Sequence, residues 1–266
     1  MIVLKILAWV VLALLICVLL ILLYAEITAS CKLRRYPLRQ IYEKRKKQED
    51  YCPLDEVNDR FIDLLLIKED DEFYYHNGIS PVAIKEAIKR NFREHRIVIG
   101  GSTITQQLIK NLYFRFHKSI FRKLTEIMMA LKAETILSKD EILELYINII
   151  YYGCGVYGIR DAAEYYFAVK PKDMSFNQIF MIMVFLNAPT AINPLLHPDA
   201  YRDFNKVLTG RWEKRRVITK EEVDIITQNL ENGLDPHLRK SADGEWRYGK
   251  NILINEKYGL EADSSY

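Results

Sequence analysis

The first segment of the chain restricts its fold more than any other. Residues Ile6 to Ala25 form an apolar run without a charged side chain, about the 20 residues that an α-helix needs to cross a bilayer. This run predicts a single uncleaved membrane anchor. A cleaved signal peptide is the alternative, because small residues follow at 29–31, but the run is longer than the roughly 7 to 15 apolar residues usual in signal peptides.

Positive charge is concentrated in two segments, although the formal net charge is only +3. Residues 32–47 carry eight basic side chains and one acidic one, and residues 85–123 carry ten basic and two acidic ones among several aromatic rings. Such mixtures suit nucleic acid or an anionic membrane surface, and the preceding apolar run favours the membrane. No nucleic-acid partner is therefore expected. The excess of basic residues after the span would by itself place the domain in the cytoplasm.

Helix-start signals recur along the rest of the chain. Ser or Thr followed three residues later by Glu or Gln forms a capping box, and proline suits the first helical position. Signals of these kinds predict helices that begin after Ser80, Thr103, Ser119, Ser138, Ser175 and Thr219. A further helix is expected at 161–166 and a glycine-rich loop at 152–158. Since no sustained alternation of apolar and polar residues indicates strands, the chain is predicted to be mainly α.

Composition divides the chain into four parts. We assign residues 1–30 to the anchor, 31–58 to a basic juxtamembrane linker short of core residues, 59–228 to the globular domain and 229–266 to a C-terminal extension of unknown structure. A chain with 50% hydrophobic residues can bury a full core in a domain of this size. The four cysteines form no CxxC pair and have no histidine at ligand spacing, so no zinc site is indicated.

Three stretches carry side chains suited to chemistry. Residues 69–78 place four acidic side chains beside aromatic rings, where apolar surroundings raise a carboxyl pKa towards values useful for proton transfer; a solvated acidic turn is the alternative. Residues 100–111 combine a glycine pair with a helix start, which suits an anion or is an ordinary turn. Arg122, Lys123 and Glu126 share one helical turn, either as a surface ion pair or as two cations beside a carboxylate.

In this order the three stretches resemble glycosyltransferase family 51, the peptidoglycan glycosyltransferase domain of class A penicillin-binding proteins and of stand-alone transglycosylases. They read Glu-Asp-x-x-Phe-x-x-His-x-Gly, Gly-Gly-Ser-Thr-Ile-Thr-Gln-Gln-Leu-x-Lys-Asn and Arg-Lys-x-x-Glu. Residues 138–148, 152–167 and 188–194 are similar to further motifs of the family. The resemblance covers about 59–210 and implies a mainly α, lysozyme-like domain behind an N-terminal transmembrane helix.

The resemblance also implies roles for individual side chains. Glu69 is the expected general base, which takes a proton from the 4-hydroxyl of the lipid II acceptor, and Glu126 is the second carboxylate, which assists departure of the diphosphate or positions it. The expected substrate-binding residues are Asp70, Phe73, His76, Ser102, Gln107, Lys110, Asn111, Arg122 and Lys123. The cations among them would supply positive charge where negative charge develops in the transition state.

Further expectations concern cofactors, partners and location. The resemblance implies a divalent cation, Mg or Mn, and no organic cofactor. It implies lipid II and the growing glycan chain as substrates, and the bacterial cytoplasmic membrane and the proteins of a wall-synthesis complex as partners. Because peptidoglycan is polymerised outside this membrane, the catalytic domain is expected on the outer, periplasmic face, against the basic-residue count.

The chain departs from the family pattern at three places. Ala168 and Val169 stand where the family tends to have a glycine before a lysine, and residues 183–185 replace a stretch of small residues that contains glycine. Asp71 and Glu72 follow the first Glu-Asp pair, where the family often has an arginine. Both candidate carboxylates are intact. A Ser-x-x-Lys, Ser-x-Asn and Lys-Thr-Gly set does not occur in the sequence, so no penicillin-sensitive transpeptidase is expected and the enzyme is predicted to be monofunctional.

Two alternatives come from other functional classes. A lysozyme-like hydrolase would cut glycan strands with the same fold and a single acid, but the attack of water on a neutral glycan gives the cations at 122 and 123 no diphosphate to bind. A non-catalytic, lipid II-binding scaffold is the other alternative. The intact Glu69 and Glu126 argue against it, whereas the departures near Val169 and Phe185 favour it.

Overall fold

The computed structural model describes residues 1–94, 101–114, 119–186, 188–194 and 196–231. Three features named from the sequence lie outside these ranges. They are Gly100 of the glycine pair, residues 115–118 of the second basic segment, and residues 232–266 of the C-terminal extension.

Helices dominate the described residues, so the predicted mainly α fold is confirmed. In chain order they are α1 (Ile2–Arg35), α2 (Leu38–Lys46), α3 (Asp59–Glu69), α4 (Pro81–Glu94), α5 (Ile104–Tyr113), α6 (Ile120–Ile136), α7 (Lys139–Ile149), α8 (Ile159–Phe167), α9 (Phe176–Phe185), α10 (Pro198–Lys214) and α11 (Lys220–Glu231). Two short antiparallel strands, β1 (Tyr151–Gly153) and β2 (Val156–Tyr157), form a hairpin within the predicted glycine-rich loop.

The predicted helix starts coincide with side-chain caps. At α5, the Thr103 hydroxyl accepts a hydrogen bond from the Gln106 amide at 3.1 Å, and the Gln106 side chain accepts one from the Thr103 amide at 3.0 Å. The same reciprocal bonds begin α7 at Ser138 and α9 at Ser175. Helices α2, α3 and α10 were not predicted, because basic residues dominate α2 and neither α3 nor α10 begins with a capping box.

Helix α5 contacts both α6 and α7. It carries a buried apolar row and, outside this row, two polar side chains predicted for the site. Ile104, Leu108 and Leu112 are buried along one face, because apolar residues that recur every four positions align on a helix. Gln107 and Lys110, one turn apart, lie outside this buried row and are less buried than it. The core therefore fixes the helix that carries two of the expected site residues.

The segment predicted as a linker contributes to the core, so the expectation that residues 31–58 lack core positions is wrong. Its buried apolar side chains are Leu38, Ile41, Tyr42, Tyr51, Cys52 and Val57. Arg45 is also fully buried and donates hydrogen bonds to Asp50 Oδ1 at 2.7 Å and to the Asn148 carbonyl at 3.2 Å. A buried guanidinium needs such acceptors. The many basic residues of this segment concealed its apolar spacing.

Helix α1 has two parts that differ in their surroundings. Residues 2–24 are largely exposed and are long and apolar enough to cross a membrane, which supports the predicted anchor. Farther along the same helix, Ala25 and Ala29 are fully buried and α1 packs on α6. The anchor therefore continues into the domain without a break.

Ala168 ends α8 in the left-handed conformation, with φ 55° and ψ 37°. Glycine adopts this conformation without the penalty that a Cβ atom brings, which is about 1–2 kcal/mol. We expect Ala168→Gly to raise the free energy of unfolding by about 1 kcal/mol in urea titrations. Ala200→Gly, at an exposed helical position of α10, should instead lower it by about 0.5–1 kcal/mol. A loss of stability in both variants would contradict strain at Ala168.

Candidate active site

Glu69 is the last residue of α3, and its carboxylate is held by Lys68 of the same helix and by Gln107 of α5. Its Oε2 accepts a hydrogen bond from Gln107 Nε2 of α5 at 2.9 Å, and its Oε1 is paired with the ammonium of Lys68. Gln107 Oε1 in turn accepts from the Tyr146 hydroxyl of α7 at 3.0 Å. The side chains of Lys68 and Glu69 are only 7% and 19% exposed. The carboxylate therefore has one defined position.

These contacts decide the protonation of Glu69. Burial raises the pKa of its carboxyl, but the adjacent Lys68 ammonium, the hydrogen bond from Gln107 and the charge of Lys110 lower it, and the resulting pKa lies below its usual value. The expectation of a raised pKa in this stretch is wrong for Glu69: burial is the largest single influence on its pKa, but Lys68, Gln107 and Lys110 together outweigh it. At neutral pH the group is a carboxylate and is therefore suited to accept a proton rather than to donate one.

Glu126 of α6 is the second buried carboxylate, at 1% exposure. Its Oε2 accepts a hydrogen bond from Arg122 Nη1 at 2.8 Å, and its Oε1 is paired with the Lys123 ammonium. Lys123 also donates to the Ser102 hydroxyl, just before α5, at 2.8 Å. The surface ion pair considered from the sequence is therefore a largely buried cluster that joins α6 to the start of α5.

Lys110 connects the two carboxylates electrostatically. Burial lowers the pKa of its ammonium; Arg122 and Lys123 lower it further, whereas Glu126 and Glu69 raise it, and the net pKa is below the usual value. Three cations thus lie close to one another with Glu126 as the carboxylate bonded among them. The excess of positive charge makes this region suited to an anion with several oxygens, such as a diphosphate.

Asp70 and His76 hold the loop after α3 against the start of α5. The Asp70 carboxylate lies 2.9 Å from His76 Nε2 and accepts a hydrogen bond from the Ile104 amide at 2.9 Å. The Thr103 hydroxyl donates to the Gly78 carbonyl of the same loop at 2.7 Å. Both predicted binding residues are nearly buried and their contacts are internal. Asp70 and His76 therefore position the loop after α3. Their direct contact with the substrate stays a prediction.

Phe73 and Asn111, the remaining predicted residues, differ in how deeply they are buried. Phe73 is 1% exposed and packs beneath Lys139, whose Nζ is 4.3 Å from the centre of the ring, so it stabilises the loop. Asn111 is half-buried and follows Lys110 on α5. The structure therefore groups Gln107 with the charged side chains predicted for the site. Phe73 instead stabilises the loop from within the core.

Comparison with known proteins identifies the family. The family described as Transglycosylase matches residues 35–214, more than half of the chain. The chain belongs to the transglycosylase family.

Several curated penicillin-binding proteins are similar to this transglycosylase. Penicillin-binding protein 1A of Aquifex aeolicus is 37% identical over 174 residues, which are 65% of this chain and 24% of the relative. Penicillin-binding protein 1F of Bacillus subtilis is 33% identical over 193 residues, 73% and 27% of the two chains. Penicillin-binding protein 1A of Escherichia coli is 34% identical over 215 residues, 80% and 25%. The chain spans about a quarter of the length of these relatives.

Two contributors to the site of this transglycosylase were not found from the sequence. Lys68 stands directly before Glu69, and its charge could have been noted there. Tyr146 lies within residues 138–148, which resemble a further family motif, but no role was predicted for it, although a buried tyrosine hydroxyl usually needs a hydrogen-bond partner. That partner is Gln107, 39 residues earlier in the chain, and sequence spacing does not indicate such a contact.

The described residues of the transglycosylase do not form a metal site by themselves. No group of three or more His, Cys, Asp or Glu side chains placed to hold an ion occurs within the described ranges. Both oxygens of Glu126 are already bonded to cationic side chains. Mg²⁺ is commonly held by one or two carboxylates together with substrate phosphates and water. The divalent cation therefore stays a prediction, and no catalytic step is derived from it.

Proposed function

We propose that this transglycosylase is a membrane-anchored peptidoglycan glycosyltransferase, which polymerises lipid II into β-1,4-linked glycan strands and releases polyprenyl diphosphate. One observation carries the proposal: α5 and the residue before it contact both charged groups, because Gln107 donates a hydrogen bond to Glu69 at 2.9 Å and Ser102 accepts one from Lys123 of the Glu126 cluster at 2.8 Å. A base and an anion-binding group are what a sugar transfer from a diphosphate requires. For these 266 residues the proposed activity is glycosyl transfer alone.

Glu69 has the role of base in the proposed reaction. It accepts the proton of the 4-hydroxyl of the acceptor sugar as that oxygen attacks the anomeric carbon of the growing chain. The bond between this carbon and the diphosphate oxygen breaks, and the electron pair leaves with polyprenyl diphosphate. Attack on the face opposite the leaving group inverts the configuration, and the proton remains on the Glu69 carboxyl.

Positive charge then stabilises the diphosphate as it departs. Arg122 Nε is enclosed without a hydrogen-bond partner among the described residues, so the guanidinium acts on the departing diphosphate through its charge rather than through this N–H group. Glu126 occupies Arg122 and Lys123 on their other side. We assign Glu126 to positioning these two cations, since a carboxylate held between them fixes their distance from Lys110.

Lys68→Met is expected to shift the acidic limb of the pH profile of kcat/KM to higher pH. Burial raises the pKa of Glu69 and the Lys68 ammonium lowers it, so removing the ammonium raises the pKa and protonates more of the base at a given acidic pH. Lys206→Met, which removes an exposed lysine of α10, should leave the profile unchanged. An acidic limb that does not move in Lys68→Met would contradict this coupling.

Exposed apolar side chains support a site that works at the membrane surface. Ile84, Ile88 and Phe92 lie four residues apart on one side of α4 and are exposed, as are Ile120 and Phe121 at the start of α6. Apolar groups beside basic ones suit the headgroup region of a membrane. We propose that the domain lies on the outer, periplasmic face, where its lipid-linked substrate is polymerised. The proteins of a wall-synthesis complex stay predicted partners.

The state of Glu69 favours transfer over hydrolysis. A lysozyme-like hydrolase needs a carboxyl whose pKa is raised so that it can protonate the leaving oxygen, whereas the pKa of Glu69 is lowered. A lipid II-binding scaffold would not need an ionised carboxylate held by Lys68 and Gln107 at this place. Glycosyl transfer is the function that uses both the ionised Glu69 and the cations beside Glu126.

Incubation of the full chain with lipid II in detergent tests the proposal. We expect wild-type protein to form glycan polymer that lysozyme digests, with release of polyprenyl diphosphate, and Glu69→Gln to form none. Binding of lipid II without polymer in wild type would instead support the scaffold. Shortening of preformed glycan strands without extension would support the hydrolase.

A further inference from the structure

The anchor helix brings a lysine next to the cation cluster. Phe114, directly after α5, contacts two cations: Lys32 Nζ of α1 is 5.4 Å from the centre of its ring, and Arg122 Cζ of α6 is 5.9 Å from it. Lys32 Nζ and Arg122 Cζ are therefore at most about 11 Å apart. Each is stabilised by its contact with the ring, which keeps Lys32 close to the region that we assign to the diphosphate.

The end of α1 that carries Lys32 is fixed to the domain. The Tyr113 hydroxyl at the end of α5 donates a hydrogen bond to the Tyr36 carbonyl, directly after α1, at 2.7 Å. One and two turns before Lys32, Ala29 and Ala25 are fully buried where α1 packs on α6. These contacts on both sides of Lys32 hold its backbone in a constant relation to α5 and α6.

Lys32 also lies at a height above the bilayer from which its ammonium can contact lipid phosphates. The rings of Tyr24 and Phe121 meet at 6.3 Å, edge to face, where the apolar run of α1 ends. Lys32 is eight residues farther along, about 12 Å at 1.5 Å per residue, and helical side chains lean towards the N-terminus, here towards the bilayer. Headgroups extend roughly 5–8 Å beyond the hydrocarbon on each side. The ammonium can therefore reach the phosphates of a membrane lipid.

Lys32 differs from Arg122 and Lys123 in having no carboxylate partner in the described part of the chain. Arg122 and Lys123 share Glu126, whereas no ion pair joins Lys32 to any residue in the described part of the chain, where its ammonium contacts the ring of Phe114. Its three N–H donors are available to a ligand. A cation that is fixed in place but not neutralised is suited to bind an anion.

We propose that Lys32 is a further binding residue for the diphosphate of the lipid-linked donor, so that the anchor helix forms one wall of the site. The identity of the ligand rests on the proposed function. Two linked phosphates can contact both Lys32 and Arg122, which share the ring of Phe114, better than the single phosphate of an ordinary phospholipid can. The anchor then supplies part of the binding energy in addition to holding the enzyme at the membrane.

The test compares full-length Lys32→Met with Arg34→Met in nanodiscs of neutral phospholipid. Arg34 is exposed and lies two residues on, roughly 200° around the helix, so the control removes the same charge from the other side. We expect Lys32→Met to raise KM for lipid II about fivefold to tenfold and to leave kcat within about twofold, as loss of one charged contact to a ground-state ligand does. Arg34→Met should keep both constants, and Lys32→Arg should restore KM.

A binding measurement separates this inference from the proposed function. Affinity for polyprenyl diphosphate should fall in Lys32→Met and not in Arg34→Met, whether or not the preparation polymerises lipid II. Wild-type protein that forms no polymer would overturn the proposed function alone. Equal diphosphate affinity in the two variants would overturn the role of Lys32. A loss confined to nanodiscs that contain phosphatidylglycerol would also overturn it, by assigning Lys32 to bulk anionic lipid.

Discussion

Glu69→Gln should lower kcat for lipid II polymerisation by about a thousandfold, because general-base catalysis typically contributes about 100- to 10,000-fold. Glutamine keeps the size of the side chain and can still accept the hydrogen bond from Gln107, but it cannot take the proton of the acceptor hydroxyl. KM should change by less than about threefold, since the cations that hold the diphosphate are untouched. Initial rates over a range of lipid II concentrations give both constants.

A control is needed because the substitution also affects Lys68. This lysine is 7% exposed and loses its carboxylate partner in Glu69→Gln, and an unpaired buried cation destabilises a fold. The double variant Lys68→Met, Glu69→Gln removes the unpaired charge. If this double variant melts close to wild type and remains inactive, the missing base accounts for the loss. Polymerisation within about tenfold of the wild-type rate in either variant would contradict the role of Glu69.

Gly78→Ala is expected to lower the free energy of unfolding by about 3 kcal/mol. Gly78 has φ +82°, and a Cβ atom there would lie 2.7 Å from the carbonyl oxygen of Ala130 and 2.9 Å from its carbonyl carbon. The left-handed conformation costs about 1–2 kcal/mol for alanine, and an overpacked contact costs about 1–3 kcal/mol more. Since these neighbours are backbone atoms of α6, the loop and the helix have to separate.

Gly210→Ala is the matched control for this prediction. Gly210 lies in α10, and a Cβ atom at this residue would have no neighbouring atom within 4 Å, so alanine should raise the free energy of unfolding by about 0.5–1 kcal/mol through helix propensity. Urea titrations of both variants give the comparison. A loss below about 1 kcal/mol in Gly78→Ala would mean that the loop is not pressed against α6.

Local signals predicted most of the helix starts, because a cap acts within four residues of its own position. Thr103, Ser138 and Ser175 form the bonds that their spacing indicates. The burial of Arg45 could not be predicted in this way. Its acceptor, the carbonyl of Asn148, is 103 residues away, and a basic segment next to a membrane span is usually solvated. Burial that depends on a distant acceptor is a property of the fold.

The roles of the site residues stay predictions, but their surroundings can be compared with the sequence. The resemblance assigned Glu69, Lys110 and Glu126 to one site, and hydrogen bonds link α5, through Gln107 and the preceding Ser102, to Glu69 and to Lys123 beside Glu126. The sign of the pKa shift at Glu69 was wrong, because it depends on Lys68 pairing with the carboxylate. Side-chain pairing of this kind follows from rotamers and packing, which sequence order does not specify.

The unbroken course of α1 has a mechanical consequence. The helix runs over 34 residues, from Ile2 to Arg35, about 51 Å at 1.5 Å per residue, and it packs on α6 beyond its exposed part. In the proposed membrane-anchored state, the helix would adapt to the thickness of the bilayer by changing its tilt. Because α1 continues without a break to its contact with α6, such a tilt would also move Arg122 and Lys123. Bilayer thickness would then influence the angle at which these cations meet the proposed lipid-linked substrate.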